Sequence, residues 1–325
     1  MDKAAEIGSV ISCATCHNEA TAKLSTVKFP SGAEVTGLGS EAVCMTCHQG
    51  TAAGATVDAA IEKAGVTDPD VPVADLGFTN LHYFAAAVAR YGTQVQGGYQ
   101  YEGKTYDALW QHVEGVNTCT DCHNPHSLEL NVETCATCHE GVTAAEDIRD
   151  VRMISSAVDY DGDGDVKEGI YYEVDGLRTL LYTAMQSYAK EVAGTALVYS
   201  PTAYPYFFID TNADGVTDEA EAAFPNSYKS WTARLAKAAF NYQASIKDPG
   251  SYAHGGKYII ELLYDSIENL NEKLATPVDL AAANRIDPGH FAGSQMAFRD
   301  WDADGAVPAS CSKCHSATGL PQFIK

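Results

Sequence analysis

Residues 117–126 read NTCTDCHNPH. Cys119, Cys122 and His123 form a C-x-x-C-H pattern, and a further histidine, His126, follows three residues later. The pattern occurs five times, as Cys13-Cys16-His17, Cys44-Cys47-His48, Cys119-Cys122-His123, Cys135-Cys138-His139 and Cys311-Cys314-His315. Together these motifs use all ten cysteines, so no thiol is left for a disulfide or a free nucleophile. Zinc would need C-x-x-C pairs to converge in twos, and it gives no reason for a histidine after every second cysteine. Covalent haem c explains each position: two thiols form thioethers to one porphyrin, and the adjacent histidine ligates its iron. Five covalently attached haem c groups are therefore the expected cofactors.

The histidines support the same count. Ten are present, five lie inside the motifs, and the remaining five are His82, His112, His126, His254 and His290. Five irons need five sixth ligands, and the methionines offer none: Met45 lies between the cysteines of its motif, while Met153, Met185 and Met296 fall where helical packing is expected. Bis-histidine ligation throughout is the expectation. His126 cannot serve the haem of its own motif, because three residues reach only about 10 Å when extended. It must reach a different haem. His112, seven residues before Cys119, is expected to do similar work from the other side. The sequence thus specifies a haem cluster.

Haem supply is uneven along the 325 residues. Residues 1–140 form a tetrahaem region, residues 141–275 a helical, calcium-binding insertion, and residues 276–325 a C-terminal haem segment. The expected fold is mostly α with extensive irregular loop, a haem-packed core and little sheet. Residues 1–77 read as loops wrapped around cofactors. In "TNLHYFAAAVARYGT", Thr79 or Asn80 is placed to cap a short helix with His82 in its first turn, and Gly92 to end it. The run "GGYQYEGKTYDALW" reads as a hairpin-like loop, its aromatics packing on haem edges, leading into a helical turn with His112. Apolar positions at three- and four-residue spacing in "DGLRTLLYTAMQSYAKEVAG", "NSYKSWTARLAKAAFNYQASI" and "GKYIIELLYDSIENLNEKLA" predict three amphipathic helices.

The net charge of −22 argues against nucleic acid as a partner. No run of about 18 apolar residues is present, so no membrane span is expected. "MDKAAEIGSV" lacks a basic start and a long apolar stretch, and since c-type attachment takes place outside the cytoplasm, a leader removed or left out of this numbering is expected.

Acidic loops give a second metal signal. "DTNADGVTDEAE" matches the D-x-N-x-D-G-x5-E calcium pattern: Asp210, Asn212, Asp214 and Asp218 would offer side-chain oxygens, Val216 its carbonyl and Glu221 two oxygens. "DYDGDGDVKEG" places Asp159, Asp161, Asp163 and Asp165 similarly, but Ile170 stands at the bidentate position, so Glu168 or Glu173 must substitute. "DWDADG", with Asp300, Asp302 and Asp304, is a partial third loop. Calcium is therefore an expected cofactor.

The segments "NLHYFAAAVARYG", "HVEGVNTCTDCHNPHS" and "FRDWDADGAVPASCSKCHS", with the five motifs, make the chain resemble the multihaem c-type cytochromes of metal-respiring bacteria. The resemblance implies electron transport at the cell surface or outside it, including assembly into filaments in which a histidine of one subunit ligates a haem of the next. It implies as partners other redox proteins, extracellular acceptors and further copies joined head to tail. The helical insertion before the last haem departs from a simple filament subunit. His17, near a terminus, is the natural place to receive a ligand or a stacked porphyrin from a neighbouring molecule. The alternative is a soluble periplasmic shuttle. A multihaem reductase needs an open iron position or a lysine variant of the motif, and the sequence has neither, so no enzyme is expected.

Overall fold

The computed structural model describes residues 11–287, except 83, 114, 153–155 and 157, together with 305–306. His290, Cys311, Cys314, His315, Asp300, Asp302 and Asp304, with Met153 and Met296, lie outside the described residues. In chain order the helices are α1 (Cys13–Cys16), α2 (Glu41–His48), α3 (Gly54–Lys63), α4 (Ala86–Tyr91), α5 (Cys119–Cys122), α6 (Val132–Ala136), α7 (Ile170–Glu191), α8 (Ala233–Lys247) and α9 (Ser251–Asn271). Two antiparallel pairs of short strands complete the regular structure: β1 (Thr26–Lys28) with β2 (Glu34–Thr36), and β3 (Leu197–Tyr199) with β4 (Phe207–Ile209). The chain is mostly helical with little sheet. Among the described residues no helix is long and apolar enough to cross a membrane.

The three predicted helices are α7, α8 and α9, and they pack on one another. On α7, Val174, Leu177, Leu181, Ala184 and Tyr188 are buried at three- and four-residue spacing, which forms a single apolar stripe. Helix α8 is buried almost all round, as its Ala238, Ala239, Phe240 and Ser245 show. Thr232 starts α8, its hydroxyl accepting from the Leu235 amide at 3.1 Å. The buried Arg234 on α8 pairs with Asp70 at 2.6 Å and with Glu272 at 2.9 Å.

One hydrophobic core runs from Ala52 to Leu274, so the earlier part of the chain is laid directly onto these helices. Asn241 on α8 takes both backbone bonds of Tyr99, at 2.7 and 2.9 Å. The Gly98 amide donates to the Tyr258 hydroxyl at 3.1 Å, and a Cβ at Gly98 would meet Leu262 at 2.3 Å. A smaller core of Val27, Phe29, Ala42, Met45, Ala87, Tyr91 and Val95 lies under α2. Met45 is thus a packing residue.

Several local expectations are corrected. Residues 1–77 are not all loop, since α3 lies among them and turns Val57 into the main core. The short helix begins at Ala86, and His82 precedes it at φ 70°. Leu81 and Phe84 are tied to α8 instead: the Leu81 amide donates to Gln243 Oε1 at 3.2 Å and the Phe84 amide to the Lys247 carbonyl. Gly92 does end α4, at φ 50°, where a Cβ would meet the Asp107 carbonyl at 2.1 Å. His112 follows irregular chain held by a Trp110 amide bond to the Arg90 carbonyl at 2.8 Å, with no helical turn. The aromatics before it pack on α9, where the Tyr101 hydroxyl bonds Ser266 at 3.2 Å and the Tyr106 ring lies 6.1 Å from that of Tyr258.

Candidate haem-binding site

Each described C-x-x-C-H motif winds into a helical turn. In an α-helix residues at i, i+3 and i+4 share a face, so the two thiols and the histidine emerge on one side. The His17 amide bonds the Cys13 carbonyl at 2.8 Å, His123 bonds Cys119 at 2.9 Å, and His139 bonds Cys135 at 2.9 Å. The fourth motif occupies the end of α2. The residues between the cysteines help to start these turns. Thr15 accepts from the Ser12 amide at 3.1 Å, and Asp121 accepts from the Asn117 and Thr118 amides at 2.8 and 2.7 Å. Those bonds hold the Asp121 carboxyl below its usual range. All eight described cysteines are free of disulfides, as thioether attachment requires.

Three histidine pairs then form. The rings of His17 and His126 lie 6.1 Å apart, those of His112 and His139 5.9 Å, and those of His123 and His254 6.2 Å. Each pair joins one motif histidine to one outside the motifs. Two metal–imidazole bonds of about 2.0–2.1 Å, with each ring centroid roughly 1.1 Å behind its nitrogen, put paired centroids about 6.2–6.4 Å apart at most. The residues present therefore fit an iron held between two imidazoles.

His126 does reach past its own motif. The turn after His123 is closed by Asn124, whose side chain accepts from the His126 and Ser127 amides at 2.9 and 3.1 Å. This turn presents His126 to His17. His112 faces His139, the other flanking motif. Residues 112–126 therefore carry one motif and set a further histidine ring beside the histidine of each of two others. Helix α2, which carries Cys44, packs against α5, which carries Cys119, and this brings the attachment points of two motifs together. Glu41 and Arg90 form an ion pair beside them, and Glu41 also accepts from the Cys119 amide at 3.0 Å.

Two histidines show how a ring is oriented by its second nitrogen. His48 Nδ1 lies 2.7 Å from the Phe84 carbonyl, and His254 Nδ1 lies 2.9 and 3.0 Å from the two oxygens of Asp248. Burial and the neighbouring His254 and His48 hold His123 below its ordinary value, favouring the neutral form that ligates metal. Burial opposes charge on His254, but the Asp248 carboxylate outweighs it and leaves that value raised. No ring pair joins His48 to His82 among the described residues. Asp248 is a site-adjacent side chain that sequence spacing missed, because it meets His254 through the turn that begins α9.

The acidic loops form a separate set. In the first, Asp159 accepts from the Gly162 and Gly164 amides at 2.6 and 2.8 Å, Asp161 from Asp163 at 3.1 Å, and Asp163 from Asp165 at 2.7 Å. The second repeats the ladder with Asp210, Asn212 and Asp214 accepting from Ala213, Gly215, Asp214 and Val216 amides. Carboxylate oxygens of Asp159, Asp161 and Glu173 lie within 4.8 Å of one another, as do those of Asp161, Asp163 and Glu168. Glu173 also pairs with Arg152. In the second loop Glu221 turns to the Thr211 amide and hydroxyl, at 2.6 and 2.9 Å. That loop follows strand β4 rather than a helix.

Paired thiols in C-x-x-C-H turns and paired imidazoles are the features of the multihaem c-type cytochromes, which the chain resembles. Comparison with known proteins agrees. The chain is 27% identical over 287 residues to the C-type polyheme cytochrome OmcB of Geobacter sulfurreducens, covering 75% of this chain and 34% of OmcB. It is 27% identical over 287 residues to OmcC of the same organism, covering 75% of this chain and 33% of OmcC. The chain thus spans about a third of the length of these curated relatives. No protein-family model matches it, and no solved structure does.

Proposed function

We propose that the chain transfers electrons through five haem c groups, each iron between two histidines, as a subunit of an extracellular filament joined head to tail. The observation that carries this reading is the set of three histidine pairs, each at the spacing of two axial ligands. The bound irons supply a one-electron couple; the chain fixes their number, order and surroundings. In this reading His82 and His290 complete the sites of His48 and His315. Residues 1–140 and 276–325 hold the haems, and residues 141–275 form a helical support that lends His254. Two imidazoles on each iron leave no open position, which favours a carrier over an enzyme.

The exposed Cys13, Cys16, His17 and His126 favour contact with a further copy, because the haem they would hold has its edge toward solvent. Intact-mass measurement tests the five haems, and electron micrographs of the native protein test the filament. Discrete particles at high concentration would identify a soluble periplasmic shuttle instead.

Calcium at the acidic loops is the second part of the proposal. Burial and crowding push Asp161 up to about 6 and Glu168 up to about 7, and Glu168 Oε1 is buried without a partner. A hard cation with oxygen ligands relieves such crowding. Glu173 and Glu168 would take the role that Ile170 cannot. Calcium titration by calorimetry tests it.

A further inference from the structure

Asp248 is 3% exposed. Its carboxylate meets His254 Nδ1 with both oxygens, and its other hydrogen bond is a Gly250 amide at 3.2 Å. No lysine or arginine pairs with it among the described residues. Local chain geometry enforces the contact. A Cβ at Gly250 would lie 2.7 Å from the His254 ring, and one at Gly255 would lie 2.1 Å from the Ala89 carbonyl. Glycine on either side therefore lets α9 begin tightly enough to bring His254 over Asp248. The other oriented ring, His48, faces the neutral Phe84 carbonyl. The two sites thus differ by a full charge at the same position.

We propose that Asp248 tunes the haem attached at Cys119 and Cys122, setting its reduction potential below the value the same ligands would give without a carboxylate. A buried anion that accepts the Nδ1 proton makes the imidazole a stronger donor, and a stronger donor favours ferric over ferrous iron. Helix α5, which carries Cys119 and Cys122, packs against both α2, which carries Cys44, and α6, which carries Cys135. The tuned site is therefore the middle of three adjoining attachment points. Asp248 is a positioning and tuning residue, and the inference rests on His254 being the sixth ligand opposite His123.

The test is spectropotentiometry and low-temperature electron paramagnetic resonance of the full haem-loaded chain, comparing wild type with Asp248→Asn and Asp248→Glu. In Asp248→Asn one haem should become easier to reduce by at least tenfold in its equilibrium constant, which is 59 mV for one electron. Its low-spin signal should move while all haems stay low-spin, and Asp248→Glu should restore most of the shift. Unchanged potentials overturn the proposal, and so does a new high-spin signal in Asp248→Asn, which would make Asp248 a mere support. His254→Ala separates the underlying reading: if the Cys119/Cys122 haem stays low-spin there, the ligand assignment itself has failed.

Discussion

Replacing His126 by alanine should convert one haem to high-spin, and that haem should be the one attached at Cys13 and Cys16. His126 stands 6.1 Å from His17 and is held by an Asn124 turn rather than by packing. Its side chain is exposed. The substitution should therefore cost within about 0.5 kcal/mol of fold stability, as for other surface positions. With five haems, loss of one axial ligand should remove about one fifth of the low-spin signal and place it in the high-spin band. Electron paramagnetic resonance measures the fraction, and a Cys13→Ala, Cys16→Ala background identifies the haem. In that background, which lacks the first haem, His126→Ala should be silent. A high-spin signal that persists there would mean that His126 serves another iron, and a wholly low-spin His126→Ala protein would mean that it serves none.

Thr232→Ala should remove the cap of α8 and lower stability by about 1 kcal/mol, with Thr232→Ser largely restoring it, as thermal melts of the far-ultraviolet signal will show. Burial pushes Glu261 up to about 7 from an ordinary 4.5, against the hydrogen bond it accepts from the Asp107 amide. A raised carboxylate stabilises the fold while protonated, so its contribution is present below pH about 4.5 and lost as pH rises through 7. Glu261→Gln should accordingly melt at a higher temperature than wild type at pH 8, with the difference vanishing near pH 4. Calcium chelation should lower the melting temperature of the helical region and leave the haem absorption bands in place; a melt unmoved by chelation would reduce the acidic loops to solvated turns.

What could be read from sequence was chemistry with a fixed spacing. C-x-x-C-H is one helical turn, and the periodic stripes of α7, α8 and α9 follow from burial on one side. Helix α3 was less legible because its start is held by Thr56 accepting from the Ala53 amide, with no capping residue before it. His82 and His112 looked helical from their neighbours, but tertiary hydrogen bonds to α8 and to the end of α4 set their backbone. That His126 must leave its own motif followed from reach alone. Its destination, His17, did not, since partners more than a hundred residues apart are set by folding. The same holds for His254: it pairs with His123 because α9 packs against α4, which adjoins the motif segments.

Iron anomalous-difference mapping of the haem-loaded protein tests the central claim most directly. It should place single iron atoms between His17 and His126, between His112 and His139, and between His123 and His254, each bonded to both rings. Irons found at the motif histidines but with other sixth ligands, and His126, His112 and His254 standing clear of them, would contradict it.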